Sequence, residues 1–101
     1  MLKNMVVRDL YQTVIGTVCR VTGINENDML NSNKEDCADA RWLLVQFLAA
    51  YLTDSEIADL VGCTRQGVNS IKNTRKLSKW TVAVNWKEIS KELASNAFLS
   101  K

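Results

Sequence analysis

The chain has 101 residues, of which 47% are hydrophobic, and its net charge at pH 7 is only +2. We therefore expect one small domain, 1–101, with a single core; the apolar fraction excludes a disordered chain, and the small net charge does not by itself indicate a nucleic-acid partner. The absence of proline and the presence of only four glycines predict an all-α fold, since helix-forming residues are plentiful.

The first predicted helix covers residues 3–22. Its apolar stripe, at spacings of four and three residues, consists of Val7, Tyr11, Val14, Val18 and Val21. The many β-branched residues make a strand the alternative, but the absence of turn signals over this length favours a helix. Gly16 either costs about 1 kcal/mol relative to alanine or marks a close helix contact. Gly23 is expected to end the helix.

The second and third predicted helices carry N-terminal capping signals. Asn25 caps a short helical turn, and Ser32 with Glu35 matches a capping box that begins the next helix. Residues 36–52 are apolar on nearly all sides, so we expect this helix to be buried at the centre of the fold. Trp42 within it is predicted to be core, with a partner-binding surface as the alternative.

Residues 53–76 show the pattern of a helix-turn-helix. A capping box begins at Thr53, Gly62 permits the turn, and Thr64 caps a second helix that runs to about Lys76. The inner faces of the two helices are formed by Ile57, Ala58, Val61, Val68 and Ile71. In proteins with this motif, the second helix enters the major groove of DNA.

Residues 77–85 are ambiguous, because apolar and other residues alternate there in a way that also fits an extended connection. The alternating residues are Trp80, Val82 and Val84. Asn85 offers a cap, so the last helix is predicted to begin near Trp86. Its inner face would be formed by Ile89, Leu93 and Ala97. The chain as a whole is predicted to form a compact all-α bundle of about five to six helices.

Charge is unevenly distributed along the chain. Residues 64–80 carry five basic side chains and no carboxylate, whereas residues 24–39 carry five carboxylates and one lysine. Positive charge is thus concentrated on and just after the second helix of the motif, which is typical of a nucleic-acid-binding surface. A solvated helix face is the alternative interpretation.

The exposed face of this second helix holds the candidate base-reading residues. Opposite the core-facing Val68 and Ile71, it presents Arg65, Gln66, Asn69, Ser70 and Asn73. Arginine can read guanine, and the amide side chains can read adenine. The other predicted DNA-binding residues, suited to phosphates or located at helix N-termini, are Ser55, Thr64, Lys72, Arg75, Lys76 and Lys79.

An enzyme is not expected, because the chain has no histidine, no glycine-rich phosphate loop and no G-x-S-x-G motif. Cys19, Cys37 and Cys63 are too far apart for a metal-binding pair, and all three are expected to be small buried residues in a reducing compartment. No cofactor or metal is predicted.

The N-terminus lacks a signal peptide, and the most apolar stretch is too short for a membrane span. We expect a cytoplasmic location, or the nucleoid of a bacterial host.

Resemblance to a known family lies in four segments, V-T-G-I-N-E-N-D-M-L, D-A-R-W-L-L-V-Q-F-L, S-E-I-A-D-L-V-G and G-V-N-S-I. They resemble the DNA-binding C-terminal domain of the bacterial replication initiator DnaA, which belongs to the Trp-repressor-like helix-turn-helix group. The resemblance covers roughly residues 14–93. It implies a helical domain that binds double-stranded DNA through the second helix of the motif. Arg41 falls where the family has an arginine opening its central helix.

Two segments depart from the family pattern. The family has a basic loop before the central helix, whereas residues 32–36 here contain one base and two acids. The family signature D-H-T-T-V corresponds to residues 64–68, T-R-Q-G-V, where only the valine is shared. The resemblance therefore implies the fold and the groove-facing helix, but not the initiator's target sequence. Its ATPase part has no counterpart, so no nucleotide binding is implied.

These observations predict a sequence-specific DNA-binding protein, either a transcriptional regulator or a DnaA-like or mobile-element accessory protein. A homodimer is compatible with this class, since helix-turn-helix proteins often bind two half-sites. No small-molecule effector is inferred. The alternative is a protein-interaction or dimerisation module without direct DNA binding. In that case Trp42, Trp80 and Trp86 would be exposed anchors, because aromatic residues dominate interface hot spots.

Overall fold

Six α-helices make up the part of the chain described by the computed structural model, residues 2–95, with side chains described from residue 7 onward. They are α1 (Leu2–Thr22), α2 (Glu26–Asn31), α3 (Glu35–Ala49), α4 (Asp54–Val61), α5 (Arg65–Asn73) and α6 (Trp80–Ala94). No strand occurs among the described residues. The predicted all-α bundle of five to six helices is confirmed. Ala97, expected on the inner face of the last helix, lies outside the described residues.

Helix α3 is the centre of the fold, because each of the other five helices packs against it. Its buried residues are Cys37, Asp39, Ala40, Trp42, Leu43, Leu44, Val45 and Leu48. Helix α1 covers it from one side through a buried stripe that includes Val14 and Val18. The central buried helix predicted from the sequence is thus confirmed, although it ends at Ala49 rather than at Leu52.

The short connections use the predicted capping residues at four positions. The Thr53 side chain accepts a hydrogen bond from the Glu56 backbone N–H, and the Glu56 carboxylate accepts one from the Thr53 backbone N–H. The Asn25 side chain caps α2 by accepting a hydrogen bond from the Asp28 backbone N–H. Gly23 and Gly62 both have positive φ, 75° and 78°, which glycine adopts without strain. Local sequence signals therefore define where α1 and α4 end and where α2 and α4 begin.

The capping box predicted at Ser32 is wrong. Helix α3 begins after Lys34, which makes no side-chain cap hydrogen bond. Ser32 instead ends α2, since its backbone N–H donates to the Asp28 carbonyl. Its own carbonyl accepts a hydrogen bond from Arg41, whose guanidinium also binds the Met29 carbonyl. The Ser32 hydroxyl accepts a hydrogen bond from the Lys34 backbone N–H, two residues later, rather than from Glu35.

Helix α6 begins at Trp80, so the expected start near Trp86 with an Asn85 cap is wrong, as is an extended segment over residues 80–85. In the helix, Trp80 and Val84 lie one turn apart on the exposed side, whereas Val82 lies on the opposite side and is buried. Burial of Val82 against the core explains why the helix extends toward the N-terminus.

Two smaller expectations are also corrected. Cys37 is buried and Cys19 is partly buried, but Cys63 is exposed, because it lies in the turn between α4 and α5, where residues 62–66 are all exposed. A Cβ atom at Gly16 would meet no atom within 4 Å. Gly16 therefore marks no close helix contact, and only its cost in helix propensity remains.

Candidate nucleic-acid interface

Helix α5 is held by its apolar side and exposes its polar side. Val68 is fully buried and Ile71 is half-buried against the core. Thr64 caps the helix as predicted, accepting a hydrogen bond from the Gly67 backbone N–H at 2.9 Å. The opposite side consists of five exposed residues, Arg65, Gln66, Asn69, Ser70 and Asn73. The candidate base-reading residues therefore share one solvent-facing surface, which we call the α5 face.

The C-terminal end of α5 is bound to the central helix by two side chains of α3. The indole N–H of Trp42 donates to the Thr74 carbonyl at 2.7 Å, and the side-chain amide of Gln46 donates to the Lys72 carbonyl at 3.0 Å. Carbonyl groups at a helix C-terminus lack intrahelical partners, so these hydrogen bonds satisfy acceptors that would otherwise be left unpaired. They also fix the orientation of the α5 face relative to the bundle.

All three lysines predicted to bind phosphates form ion pairs within the protein. Lys72 lies 2.7 Å from a carboxylate oxygen of Asp54 in α4. Lys76 and Lys79 lie 2.9 Å and 2.6 Å from the two carboxylate oxygens of Asp39, and Lys79 also lies 2.5 Å from Glu35. These pairs connect the end of α5 and the following segment, residues 74–79, to α3 and α4. The role of the lysines in phosphate binding stays a prediction.

The other predicted contacts lie in different settings. Arg65 and Arg75 are exposed, and within the described residues neither has a carboxylate at ion-pair distance. Ser55 is exposed in the first turn of α4, where it stands between the carboxylates of Asp54 and Glu56. Asp54 is ion-paired with Lys72 and Glu56 accepts the hydrogen bond from the Thr53 backbone N–H, and phosphate binding at Ser55 stays a prediction.

Asp39 is the buried carboxylate of this region, and its environment shifts its pKa. Burial acts to raise the pKa of Asp39, but hydrogen bonds from Lys79 and Lys76 outweigh it, so the pKa lies below its ordinary value of 3.8. Hydrogen bonds to Asp39 and Glu35 raise the pKa of Lys79 above its ordinary value of 10.5. Both groups of the Asp39–Lys79 pair are therefore charged throughout the neutral range.

Replacing Asp39 with Asn should lower the free energy of unfolding at neutral pH by about 1–3 kcal/mol, since charge-assisted hydrogen bonds are lost. Because the folded pKa of Asp39 is depressed, its contribution is present above pH 3.8 and is lost as the pH falls through the folded value. The gap between the parent chain and Asp39→Asn should thus close in acid. Urea unfolding at a series of pH values measures this gap.

The matched control is Asp59→Asn, which changes an exposed aspartate of α4 that has no ion pair within the described residues. It should leave the free energy of unfolding nearly unchanged at every pH. A gap for Asp39→Asn that stays constant from neutral pH into acid would contradict the assignment, because it would reflect packing rather than charge.

Sequence reasoning missed the residues that position α5. Asp39, Trp42 and Gln46 occur at spacings of three and four residues in the largely buried helix α3, and all three bind the chain between Lys72 and Lys79. A polar stripe of this spacing on a buried helix indicates a hydrogen-bonded contact with a neighbouring segment. That signal was available in the sequence, but it did not identify the partner.

Among the described residues, no group of three or more His, Cys, Asp or Glu side chains could hold a metal ion. None of the helices described is both long and apolar enough to cross a membrane. No protein-family model, curated protein or solved structure matches this chain.

Proposed function

We propose that the chain binds double-stranded DNA sequence-specifically, with α5 in the major groove, and acts as a transcriptional regulator or a mobile-element accessory protein on the bacterial nucleoid. The observation that carries the proposal is the α5 face: five exposed polar residues on a helix whose opposite side is buried and whose two ends are hydrogen-bonded. A rigid helix with a free polar face suits base readout, because its side chains are positioned before binding.

The dimensions and chemistry of α5 agree with this role. An α-helix with its side chains is about 10–12 Å across, which matches a major groove about 12 Å wide, and the nine residues of α5 give about 13 Å of helix to lie in it. Arg65 at its N-terminal end can bind guanine O6 and N7, and Gln66 and Asn69 can each offer the donor and acceptor that read adenine. Within the described residues, Arg65 and Gln66 make no side-chain hydrogen bond that DNA would have to displace.

The surrounding charge also supports the proposal. The sequence has no carboxylate between Asp59 and Glu88, so the α5 face and the segment after it carry only positive formal charges of their own. Arg65 and Arg75 supply the exposed charge. Lys72 and Lys76 are partly neutralised by their carboxylate partners, and we expect them to contribute less to phosphate binding than the arginines. The resemblance to the initiator's DNA-binding domain points in the same direction.

The test is fluorescence anisotropy of the purified chain with labelled random duplex DNA at two salt concentrations. Protein binding releases the counterions that are condensed on the DNA phosphates, and this release becomes less favourable as salt is added. If about three phosphates are neutralised, affinity should therefore fall about tenfold or more between roughly 50 and 150 mM salt. Binding that is absent at micromolar protein, or that is insensitive to salt, would overturn the proposal.

The alternative, a protein-interaction module, receives support from one tryptophan only. Trp42 is buried, and Trp86 packs against the core with its ring centroid 4.5 Å from that of Phe47. Both are therefore structural residues rather than exposed anchors. Trp80 is 75% exposed.

A further inference from the structure

Lys72 is a cation of α5 that is bound to a carboxylate of the preceding helix. Its ammonium lies 2.7 Å from a carboxylate oxygen of Asp54, the first residue of α4, and Lys72 has no other ion pair among the described residues. The Lys72 and Asp54 side chains are only 34% and 27% exposed. Because both groups are largely shielded from water, salt screens their attraction less than it screens an exposed pair.

Helix geometry places Lys72 at the edge of the α5 face. Lys72 follows Arg65 by seven residues, so it lies about 20° from Arg65 around the helix and about 10 Å from it along the axis. The contact with Asp54 shows that this edge is the one beside α4. When a helix lies in the major groove, its edges face the phosphate backbones that border the groove. In the proposed complex, Lys72 therefore lies where a cation would meet a phosphate.

Asp54 is the carboxylate of this region that can be changed without removing a support of α5. Asp39 binds two lysines of the segment 74–79 and is itself buried, so its loss would affect how that segment packs on α3. Asp54 binds a single lysine, and the two helices of the motif are also held in the core by Ile57 and Val68, both fully buried. The ion pair can therefore be broken while the helix pair stays folded.

We propose that Asp54 limits the affinity of the chain for DNA by holding Lys72 away from the phosphate backbone. A lysine adds to DNA affinity when its charge replaces a counterion at a phosphate, and here the Asp54 carboxylate already neutralises that charge. Removing the carboxylate frees Lys72 for one further phosphate contact. This inference rests on the proposed function, because it concerns α5 when it is bound to DNA. Asp54 acts through Lys72 and does not itself touch the DNA.

One additional phosphate contact has measurable effects on both affinity and salt dependence. Asp54→Asn should raise the affinity for duplex DNA about fivefold or more at roughly 50 mM salt, and the slope of log affinity against log salt should become steeper by about 0.9. With that slope, the gain should shrink about threefold between roughly 50 and 150 mM salt. Since a phosphate contact carries no sequence information, the gain should be equal for a random duplex and a selected one.

Fluorescence anisotropy of the full chain with labelled random duplex, over a series of salt concentrations, tests the proposal. Asp59→Asn is the matched control, since it removes the same charge from α4 at an exposed residue that has no ion pair within the described part of the chain; it should change the affinity by less than about twofold. Asp54→Asn combined with Lys72→Gln should return affinity and slope to the parent values, because the freed charge is removed again. Circular dichroism checks the helical signal of each variant, and Asp54→Ser is a second neutral variant should Asp54→Asn fail to fold.

Binding by the parent chain is measured first, because it tests the proposed function. A parent chain without salt-sensitive duplex binding overturns that function and the role of Asp54 together. When the parent chain binds in a salt-sensitive way, three results overturn the role of Asp54 alone. They are an Asp54→Asn chain with the affinity and slope of the parent, an Asp59→Asn chain that gains as much as Asp54→Asn, and a double variant that keeps the gain.

Discussion

Replacing Arg65 with Ala should weaken duplex binding and should also relax sequence preference at one base pair by about 1–3 kcal/mol. Arg65 is the first residue of α5, it is exposed, and no carboxylate within the described residues competes for its guanidinium. A bidentate contact with guanine is lost in the variant, so the other three base pairs at that position should become nearly equivalent to the preferred one.

The measurement is anisotropy on a duplex selected from a random pool, together with the set of its single-base-pair variants. Arg75→Ala serves as the comparison within the interface, because a phosphate contact should lower affinity equally for every duplex. Arg8→Ala removes the same charge from the exposed side of α1 and should have the smallest effect. If Arg65→Ala lowers affinity uniformly, Arg65 contacts a phosphate; if it has no effect, α5 is not the reading helix.

Replacing Trp42 with Ala should lower the free energy of unfolding by about 3–5 kcal/mol, as for other buried aromatic residues. The Trp42 side chain is only 4% exposed, and its ring centroid lies 5.8 Å from that of Trp86. The substitution removes this packing and also the hydrogen bond to the Thr74 carbonyl at the end of α5. For a domain with a total stability of roughly 5–15 kcal/mol, such a loss is a large share.

Trp42→Phe separates the two contributions, since it keeps an aromatic ring but has no N–H donor. We expect an intermediate loss, in which an unpaired Thr74 carbonyl accounts for about 1–3 kcal/mol. The free energy of unfolding is obtained from urea titration at low protein concentration. Trp80→Ala, the same change at an exposed tryptophan, should stay within about 0.5 kcal/mol of the parent chain. Equal losses at Trp42 and Trp80 would contradict the assignment of Trp42 as the core anchor of α5.

Loss of this anchor should also affect function if α5 reads DNA. Trp42 and Gln46 hold the C-terminal end of α5 through backbone carbonyls rather than through its exposed side chains. The α5 face can therefore diverge in sequence without altering how the helix is held.

The parts of the fold that depend on interactions between residues close together in the sequence could be predicted from the sequence. Thr53 and Thr64 cap α4 and α5 because each side chain bonds a backbone N–H three residues later, and Gly62 ends α4 because it adopts a positive φ. The exposed positions of α5 follow from helical periodicity once Val68 is placed inside. These interactions are local, so a short window of sequence contains both partners.

The start of α6 could not be predicted from local sequence patterns. Trp80, Val82 and Val84 alternate as they would in a strand, and only the bundle shows that Val82 faces the core while the other two face solvent. The apolar residues are known from the sequence, but which of them become buried depends on which helices pack against this segment. Burial against α1 and α3 decides the helical state here.

By itself, the sequence determined an all-helical chain, the turn between α4 and α5, and the polar surface that α5 presents. Only the tertiary structure decided which lysines are paired and how α5 is held. Lys76 and Lys79 meet Asp39 across separations of 37 and 40 residues, and Trp42 reaches Thr74 across 32. Contacts over such separations form when helices pack, because packing rather than local spacing chooses which distant side chains become neighbours.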